Sequence, residues 1–289
     1  MSPYETPEAL RIAFEARIRS RVAPGDSTSS SRLRRAAVFE SVARRLGHAE
    51  PGRWVVKGGM CLEWRYGNIA RSTLDLDLCV DASDLEPLAI RERIIHALGD
   101  DPASDRFVFE VGEAEALLAD VFGRAGYRFA VIARMGARRF ERVKLDVVPR
   151  LDEIVFREEL NRPSAFAFAG VPPLRIEVAA PAQHFAEKLH ALTRDHGDRP
   201  NSRVHDLVDL VLLIERDSMD PGDVAVAVAH VYRIRATHEV PGAIPDPPVS
   251  WKDRYPIEAR GCGVGARTVE EAMGVLRAYW SIVRSLERG

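Results

Sequence analysis

Residues 74–80, Leu-Asp-Leu-Asp-Leu-Cys-Val, constrain this chain more than any other stretch. Apolar and acidic residues alternate there with a period of two, the pattern of a strand with one buried face. Positions i and i+2 of a strand point the same way, so Asp75 and Asp77 leave one face together. Two carboxylates held that close raise each other's pKa and repel unless a cation lies between them. Oxygen-only ligation with few protein carboxylates suits Mg²⁺, which keeps its waters and takes further oxygens from a nucleotide's phosphates. The plainer alternative has one Asp capping the preceding turn and the other in solvent. An isolated Asp-x-Asp does not decide between the two, so the surrounding segments matter.

Upstream, Arg53-Trp54-Val55-Val56 reads as a short apolar strand and MCLEWRYG as a short helix, with Lys57-Gly58-Gly59 between them. Glycines there let the backbone approach a triphosphate, and the helix N-terminus presents free N–H groups to it. Downstream, YRFAVIARM and RRFERVKLDVV read as a hairpin over residues 127–148 that turns at Gly136 and stops at Pro149. Asp146 lies in its second strand among apolar β-formers, where a carboxylate needs a metal or a salt bridge to one of the many arginines. LRIEV is a further short strand.

The flanks read as helices. Residues 6–22 form one, and a Ser-rich break from Asp26 to Ser31 reads as a flexible joint before a second helix that stops at Gly47. A helix is expected over 84–98, with Ser83 and Glu86 spaced as a capping box. From Pro181 the pattern is helical through PAQHFAEKLHALTRDHG, RVHDLVDLVLLIER and DVAVAVAHVYRIR. The four prolines of Pro241–Pro248 exclude helix and central strand. Thr268 and Glu271 cap a last helix that runs to Leu286. The organisation predicted is an N-terminal helical segment (1–50), a mixed α/β core (51–178) and a C-terminal helical region (179–289).

Lysine usage points at the same segments. Of 41 basic residues only Lys57, Lys144, Lys188 and Lys252 are lysines, and the first three fall in the stretches already singled out or in the helix after Pro181. Lysine offers a compact charge suited to phosphate where arginine offers a bulky fork. In that helix Phe185, Leu189 and Leu192 make the apolar stripe, while His184, Lys188 and Asp195 project from another face. In the next helix Arg203, Asp206 and Asp209 recur at i, i+3 and i+6 of an otherwise apolar run. Asp209 is expected to be buried against a cation, Lys188 or Arg203.

A formal charge of −2 gives no global attraction to nucleic acid, so any such binding rests on local patches. The first 53 residues hold ten arginines against six acids. That excess is either a solvated helical face or a polyanion footprint, and in the second case Arg32, Arg34 and Arg35 would contact phosphates. Three widely spaced cysteines indicate neither a disulfide framework nor a zinc site and fit a reducing cytosol. No signal-peptide pattern and no stretch of membrane-spanning length is seen, so a soluble cytoplasmic protein without a membrane partner is expected.

Taken in order, VVKGGMCLEWRYGNIARSTLDLDL, YRFAVIARMGARRFERVKLDVVP, FAEKLHALTR and RVHDLVDLVLLI resemble the nucleotidyltransferase toxins of the AbiEii type, relatives of the mycobacterial MenT toxins within the polymerase-beta superfamily. The likeness continues weakly through THEVPGAIPDPPVSW and covers most of residues 50–285. It implies a polymerase-beta-like nucleotidyltransferase fold of α/β (α+β) class, with a mixed sheet and flanking helices. It also implies Mg²⁺ on Asp75 and Asp77, with Asp146 at the position of a third carboxylate. Lys188 would bind phosphate of a nucleoside triphosphate, and either Asp206 or Asp209 would be essential. Lys57, Gly58, Gly59, Ser72 and Thr73 would lie along the nucleotide. The chain departs from the superfamily in the gap of fifteen residues between Gly59 and Asp75. Members of the resembled family add nucleotides to the 3′ end of tRNA, block aminoacylation and are paired with a cognate antitoxin. The alternatives are the same chemistry on a small hydroxylated molecule or a protein side chain, and a non-catalytic nucleic-acid-binding relative.

Overall fold

The computed structural model of the chain describes residues 3–23, 26–82, 86–117, 125–195, 197 and 201–286. Within them lie strands β1 (Trp54–Lys57), β2 (Asp75–Val80), β3 (Phe107–Ala116), β4 (Tyr127–Met135), β5 (Arg138–Val148), β6 (Arg157–Arg162) and β7 (Leu174–Ala179). They form one mixed sheet in the order β3-β4-β5-β2-β1-β7-β6. β2 is central because its apolar side chains are buried: Leu76, Leu78, Cys79 and Val80 have no exposed surface. β1 runs antiparallel to β2 with Lys57 opposite Asp77, and β5 runs parallel to it with Asp146 opposite Asp77. Three charged residues of distant sequence are thereby set side by side.

Helices α1 (Pro7–Arg21), α2 (Ser27–Ala49), α3 (Gly58–Tyr66) and α4 (Pro87–Gly99) accompany the sheet. The stretch expected to be a flexible joint is instead the first turn of α2. Asp26 caps it by accepting a hydrogen bond from the Ser29 N–H at 2.9 Å, which satisfies a donor that helix geometry leaves free. Gly47 does not end α2, which continues to Ala49. A Cβ at Gly47 would come 2.9 Å from Ile176 Cδ1, so the glycine permits helix and sheet to approach. The expected capping box of α4 falls partly outside the described residues, since Ser83 is not among them; Glu86 is the N-cap and makes no side-chain cap bond.

The C-terminal region comprises α5 (Pro181–Thr193), α6 (Val204–Arg216), α7 (Pro221–Arg235), α8 (Trp251–Glu258) and α9 (Val269–Leu286). The capping box of α9 is present: Glu271 N–H donates to Thr268 Oγ1, and its carboxylate accepts from Thr268 N–H. Two apolar cores result. One joins α1, α2 and α4 to the sheet through Leu10, Phe39, Leu46, Ile94, Phe129 and Leu145. The other is built by α5–α9 through Phe185, Leu207, Leu210, Val228, Trp251 and Leu276, and takes in Leu62 and Ala70 near α3. Each fully buried side chain of this size contributes roughly 1.5–3 kcal/mol. Among the described residues no helix is long and apolar enough to cross a membrane.

β3, β6 and α8 have no counterpart in the sequence reading. β3 and β6 are the two edges of the sheet, and both carry charges that blunt an edge, as in Arg157-Glu158-Glu159 of β6. α8 is short, polar and contains Pro256, so only Trp251 and Tyr255 are buried from it.

Candidate active site

The first half of β2 carries the carboxylate pair. Asp75 and Asp77 are half-buried on one face of the strand, as the alternation requires. Gly58 explains how Asp77 fits. Its φ of +67° is a left-handed conformation that favours glycine, and a Cβ there would collide with the Asp77 carboxylate. A Cβ on Gly59 would lie 2.9 Å from Thr73 Oγ1. The glycine pair thus makes room for Asp77 and Thr73 as well as opening α3. Thr73 is buried and donates weakly to Asp75 Oδ1 at 3.3 Å, while Ser72 is exposed beside it. The fifteen-residue gap is filled by α3 and a 3₁₀ turn at Gly67–Ile69, so the spacing lengthens while the glycines and the carboxylates still meet.

Burial, and then the neighbouring Asp75, push the Asp77 carboxyl up to about 7; Lys57 pulls the other way without cancelling them. Among the described residues no cation stands at ion-pair distance from Asp77, and Asp75 meets only the Arg128 guanidinium, at 3.6 Å. The pair is therefore a place where positive charge is missing. Asp146 is on the same sheet face in register with Asp77, but Arg128 grips it with two bonds of 2.7 and 2.6 Å. Both sequence readings of Asp146 meet here: it stands beside the pair, and an arginine holds it. Among the described residues no three His, Cys, Asp or Glu side chains gather around one point. Asp75 and Asp77 nonetheless fit Mg²⁺, which needs only one or two protein carboxylates when waters and phosphates complete its shell.

The opposite wall comes from α5 and α6. Lys188 Nζ donates to Asp209 Oδ2 at 2.6 Å and to Asp206 Oδ1 at 3.3 Å, all three groups being buried. Arg71 reaches the same Asp209 carboxylate from the segment before β2, its Nε at 2.9 and 3.1 Å from the two oxygens. Burial alone would raise the Asp209 carboxyl, but Lys188 and Arg71 overcome it and hold that carboxyl below its ordinary value. Burial alone would lower Lys188, but Asp209 and then Asp206 overcome it and hold the ammonium charged. Asp209 thus takes Lys188 and Arg71 as its cations. Arg203 pairs with Asp206 instead, at 3.6 Å.

Lys57 is not free to swing, since its ammonium lies 3.2 Å from Glu187 Oε2. Glu187 also meets Arg235 at 3.5 Å, and Arg235 meets Glu153 at 3.2 Å. Burial opposes the Glu187 charge, yet Lys57 and Arg235 hold its carboxyl down at about 2. His184 is buried with neither ring nitrogen hydrogen-bonded among the described residues; burial holds its pKa down at about 3, so the ring is neutral.

Every site residue named from the sequence except Asp209 lines one cavity of about 970 Å³, and Asp209 lies behind Lys188. Sequence reasoning missed Arg71, Arg128, Glu187 and Arg235. The N-terminal arginines, by contrast, do not converge on this cavity. Arg32 is spent on Glu63 at 2.8 Å and on the Ala70 carbonyl at 2.9 Å, and Arg34 is held by Glu15 through two bonds of 2.7 Å. Their excess of charge over the first helices is structural at these two positions.

The family match, borne on this fold, makes the chain a nucleotidyltransferase. The family model for nucleotidyl transferase AbiEii toxins of type IV toxin–antitoxin systems matches residues 44–273, and the chain belongs to that family. Among solved structures it is similar to MenT4, a nucleotidyltransferase toxin from Mycobacterium tuberculosis, with a TM-score of 0.60 and 17% identity over 95% of this chain and 89% of that one. It is also similar to a putative nucleotidyltransferase from H. pylori, with a TM-score of 0.43 and 14% identity over 87% of this chain and 97% of that one. At these identities the likeness to MenT4 is one of fold, and the H. pylori match carries no further argument. No curated protein matches the chain significantly.

Proposed function

We propose that this chain transfers a nucleoside monophosphate from a nucleoside triphosphate to the 3′-terminal hydroxyl of an RNA, with tRNA as acceptor, and so blocks aminoacylation. The observation that carries this reading is the Asp75–Asp77 pair, with no cation at ion-pair distance from Asp77 among the described residues, in one cavity with a buried, charge-balanced Lys188. The acceptor oxygen attacks the α-phosphorus, a new P–O bond forms, the α–β anhydride bond breaks, and pyrophosphate leaves while the hydroxyl proton passes to solvent. Lys188 offsets charge on the triphosphate, and Asp209, Asp206 and Arg71 fix where its ammonium stands. Lys57, Gly58, Gly59, Ser72 and Thr73 lie along the same wall and would border the bound nucleotide. Asp75 and Asp77 would hold Mg²⁺, with Asp146 joining them when Arg128 lets go. When bound, the ion would stabilise charge on the attacking and leaving oxygens.

Membership of a toxin–antitoxin family implies a cognate antitoxin protein as partner, and a tRNA substrate implies action in the cytoplasm. The test is incubation with magnesium, total cellular RNA and each triphosphate labelled at the α-phosphate or at the γ-phosphate. α-Label is expected to enter the tRNA band and γ-label is not. Label in a small molecule or in protein would replace the acceptor. γ-Label in the product would replace the reaction itself.

A further inference from the structure

The cavity has a second unbalanced spot, opposite in sign to the first. Arg194 and Arg203 both line it, from the end of α5 and the start of α6. Their burial is intermediate, whereas Lys57 and Lys188 are buried, so these arginines stand at the mouth and the lysines at the floor. Among the described residues no carboxylate lies within ion-pair distance of Arg194, and its Nε is buried there without a hydrogen-bond partner. Arg203 pairs, among the described residues, only with Asp206, which already serves Lys188.

The other groups facing Arg194 make matters worse. Burial, then Arg203 and Arg235, hold its pKa below the ordinary value, and among the described residues nothing acidic opposes them. His190 and His238 also face it, and burial with nearby cations holds both below their ordinary range. A hydrogen-bonded chain fixes them as well. Thr193 gives its proton to the Leu189 carbonyl at 2.9 Å, so it accepts from Tyr232 and from His238 Nε2 at 2.7 and 2.9 Å. With His238 neutral, its Nδ1 accepts from Thr237, which in turn accepts from His190 Nε2 at 2.8 Å. Neither imidazole presents a negative group to the arginine.

We propose that Arg194 and Arg203 form a phosphate subsite at the cavity mouth that holds the backbone of the acceptor strand. The inference rests on the RNA reading above. The nucleotide fits the deeper part, where Lys188 faces the carboxylate pair, and Arg194 follows Lys188 by six residues, about 9 Å along the helix axis. A polymer entering from outside meets the mouth first. Guanidinium contacts there confer affinity without sequence choice and weaken with salt, because counterions are released.

The experiment compares the wild-type chain, the double variant Arg194→Gln/Arg203→Gln and the double variant Arg194→Lys/Arg203→Lys. Binding of total tRNA is followed across a salt series, and binding of a non-transferable triphosphate analogue is measured without RNA. Each phosphate contact to a single strand contributes about 0.7 to the slope of log K against log salt. The glutamine variant should bind tRNA at least about tenfold more weakly, with a slope shallower by about 1.4, and bind the analogue as the wild type does. The lysine variant should restore most of the slope, because the slope counts charge. An unchanged slope in the glutamine variant would overturn the subsite, and lost analogue affinity with an intact slope would give these arginines to the triphosphate instead. If the wild-type chain itself neither binds nor labels tRNA, the RNA reading fails and the subsite falls with it.

Discussion

Asp75 and Asp77 on the sheet and Asp206 and Asp209 on α6 are the same side chain in opposite conditions. In the sheet pair Asp75 meets Arg128 at 3.6 Å, but among the described residues no cation stands at ion-pair distance from Asp77, which burial and its neighbour push up to about 7. The helical pair is met by Lys188, Arg71 and Arg203, and Asp209 is held below its ordinary value although it has no exposed surface. Charge left unbalanced in a cavity is capacity for a ligand; charge balanced behind one is positioning. The two regions have separate apolar cores, so the cavity between them brings a sheet-borne demand for cation against a helix-borne lysine that is already placed.

The largest effect should come from the sheet pair. Asp77→Ala is expected to lower the transfer rate on the order of a thousandfold, ~4 kcal/mol of transition-state stabilisation, while the folded chain keeps its circular-dichroism spectrum. Transfer within a few-fold of wild type would remove Asp77 from the chemistry. Asp209→Ala should break the chain in a different way. Removing one partner leaves Lys188 and Arg71 buried without it, so unfolding by denaturant should show a loss of about 3 kcal/mol. A variant as stable as wild type would mean that Asp209 is not structural.

Lys188→Arg sits between these cases, because the charge stays and the shape changes. The planar fork should misplace the charge and cost at least about tenfold in rate, ~1.4 kcal/mol, with stability little altered. Full activity would show that any cation against Asp209 suffices.

The smallest effect is one of pH. A carboxyl whose folded pKa is raised holds a proton that the unfolded chain has already released, so its contribution is fully present below the unfolded value and is lost as pH rises through the folded one. For Asp77 the window runs from about 4 to about 7 in the metal-free chain. Asp77→Asn should therefore flatten the fall in stability across that window and raise Tm at pH 8 by about 2–4 °C. A variant that melts lower than wild type at pH 8 would place a favourable partner on Asp77. The helical pair should show the reverse sign: Asp209, held low, contributes stability above its unfolded value that is lost as pH falls through its folded one.

Much of this was legible in the sequence, for reasons particular residues make plain. The alternation at 74–80 specified β2 and the shared face of Asp75 and Asp77, because a period of two admits little else. The apolar setting of Asp209 announced a buried ion pair with Lys188 or Arg203; of the two, Lys188 is the partner, and Arg203 pairs with Asp206 instead. Arg71 was not legible, since it lies in an irregular turn and one arginine among dozens carries no pattern. Arg128 shows the limit of counting. A hairpin turning at Gly136 with regular pairing sets Arg128 opposite Leu145, and only the bulge between Ala133 and Arg134 shifts the register by one to Asp146. The edge strands β3 and β6 stayed hidden because edges carry charge where central strands carry apolar side chains. The N-terminal arginines misled for a related reason: composition counts charges but not the Glu15 and Glu63 carboxylates that occupy Arg34 and Arg32.

The two carboxylate pairs have opposite duties, the sheet pair to hold a cation and the helical pair to hold Lys188. Titration with Mn²⁺ as a stand-in for Mg²⁺, followed by water-proton relaxation, tests this division most directly on the wild-type chain, Asp77→Asn and Asp209→Asn. Saturable binding is expected for the wild-type chain and for Asp209→Asn, and its loss in Asp77→Asn. Equal binding by Asp77→Asn and the wild type, or loss confined to Asp209→Asn, would contradict it.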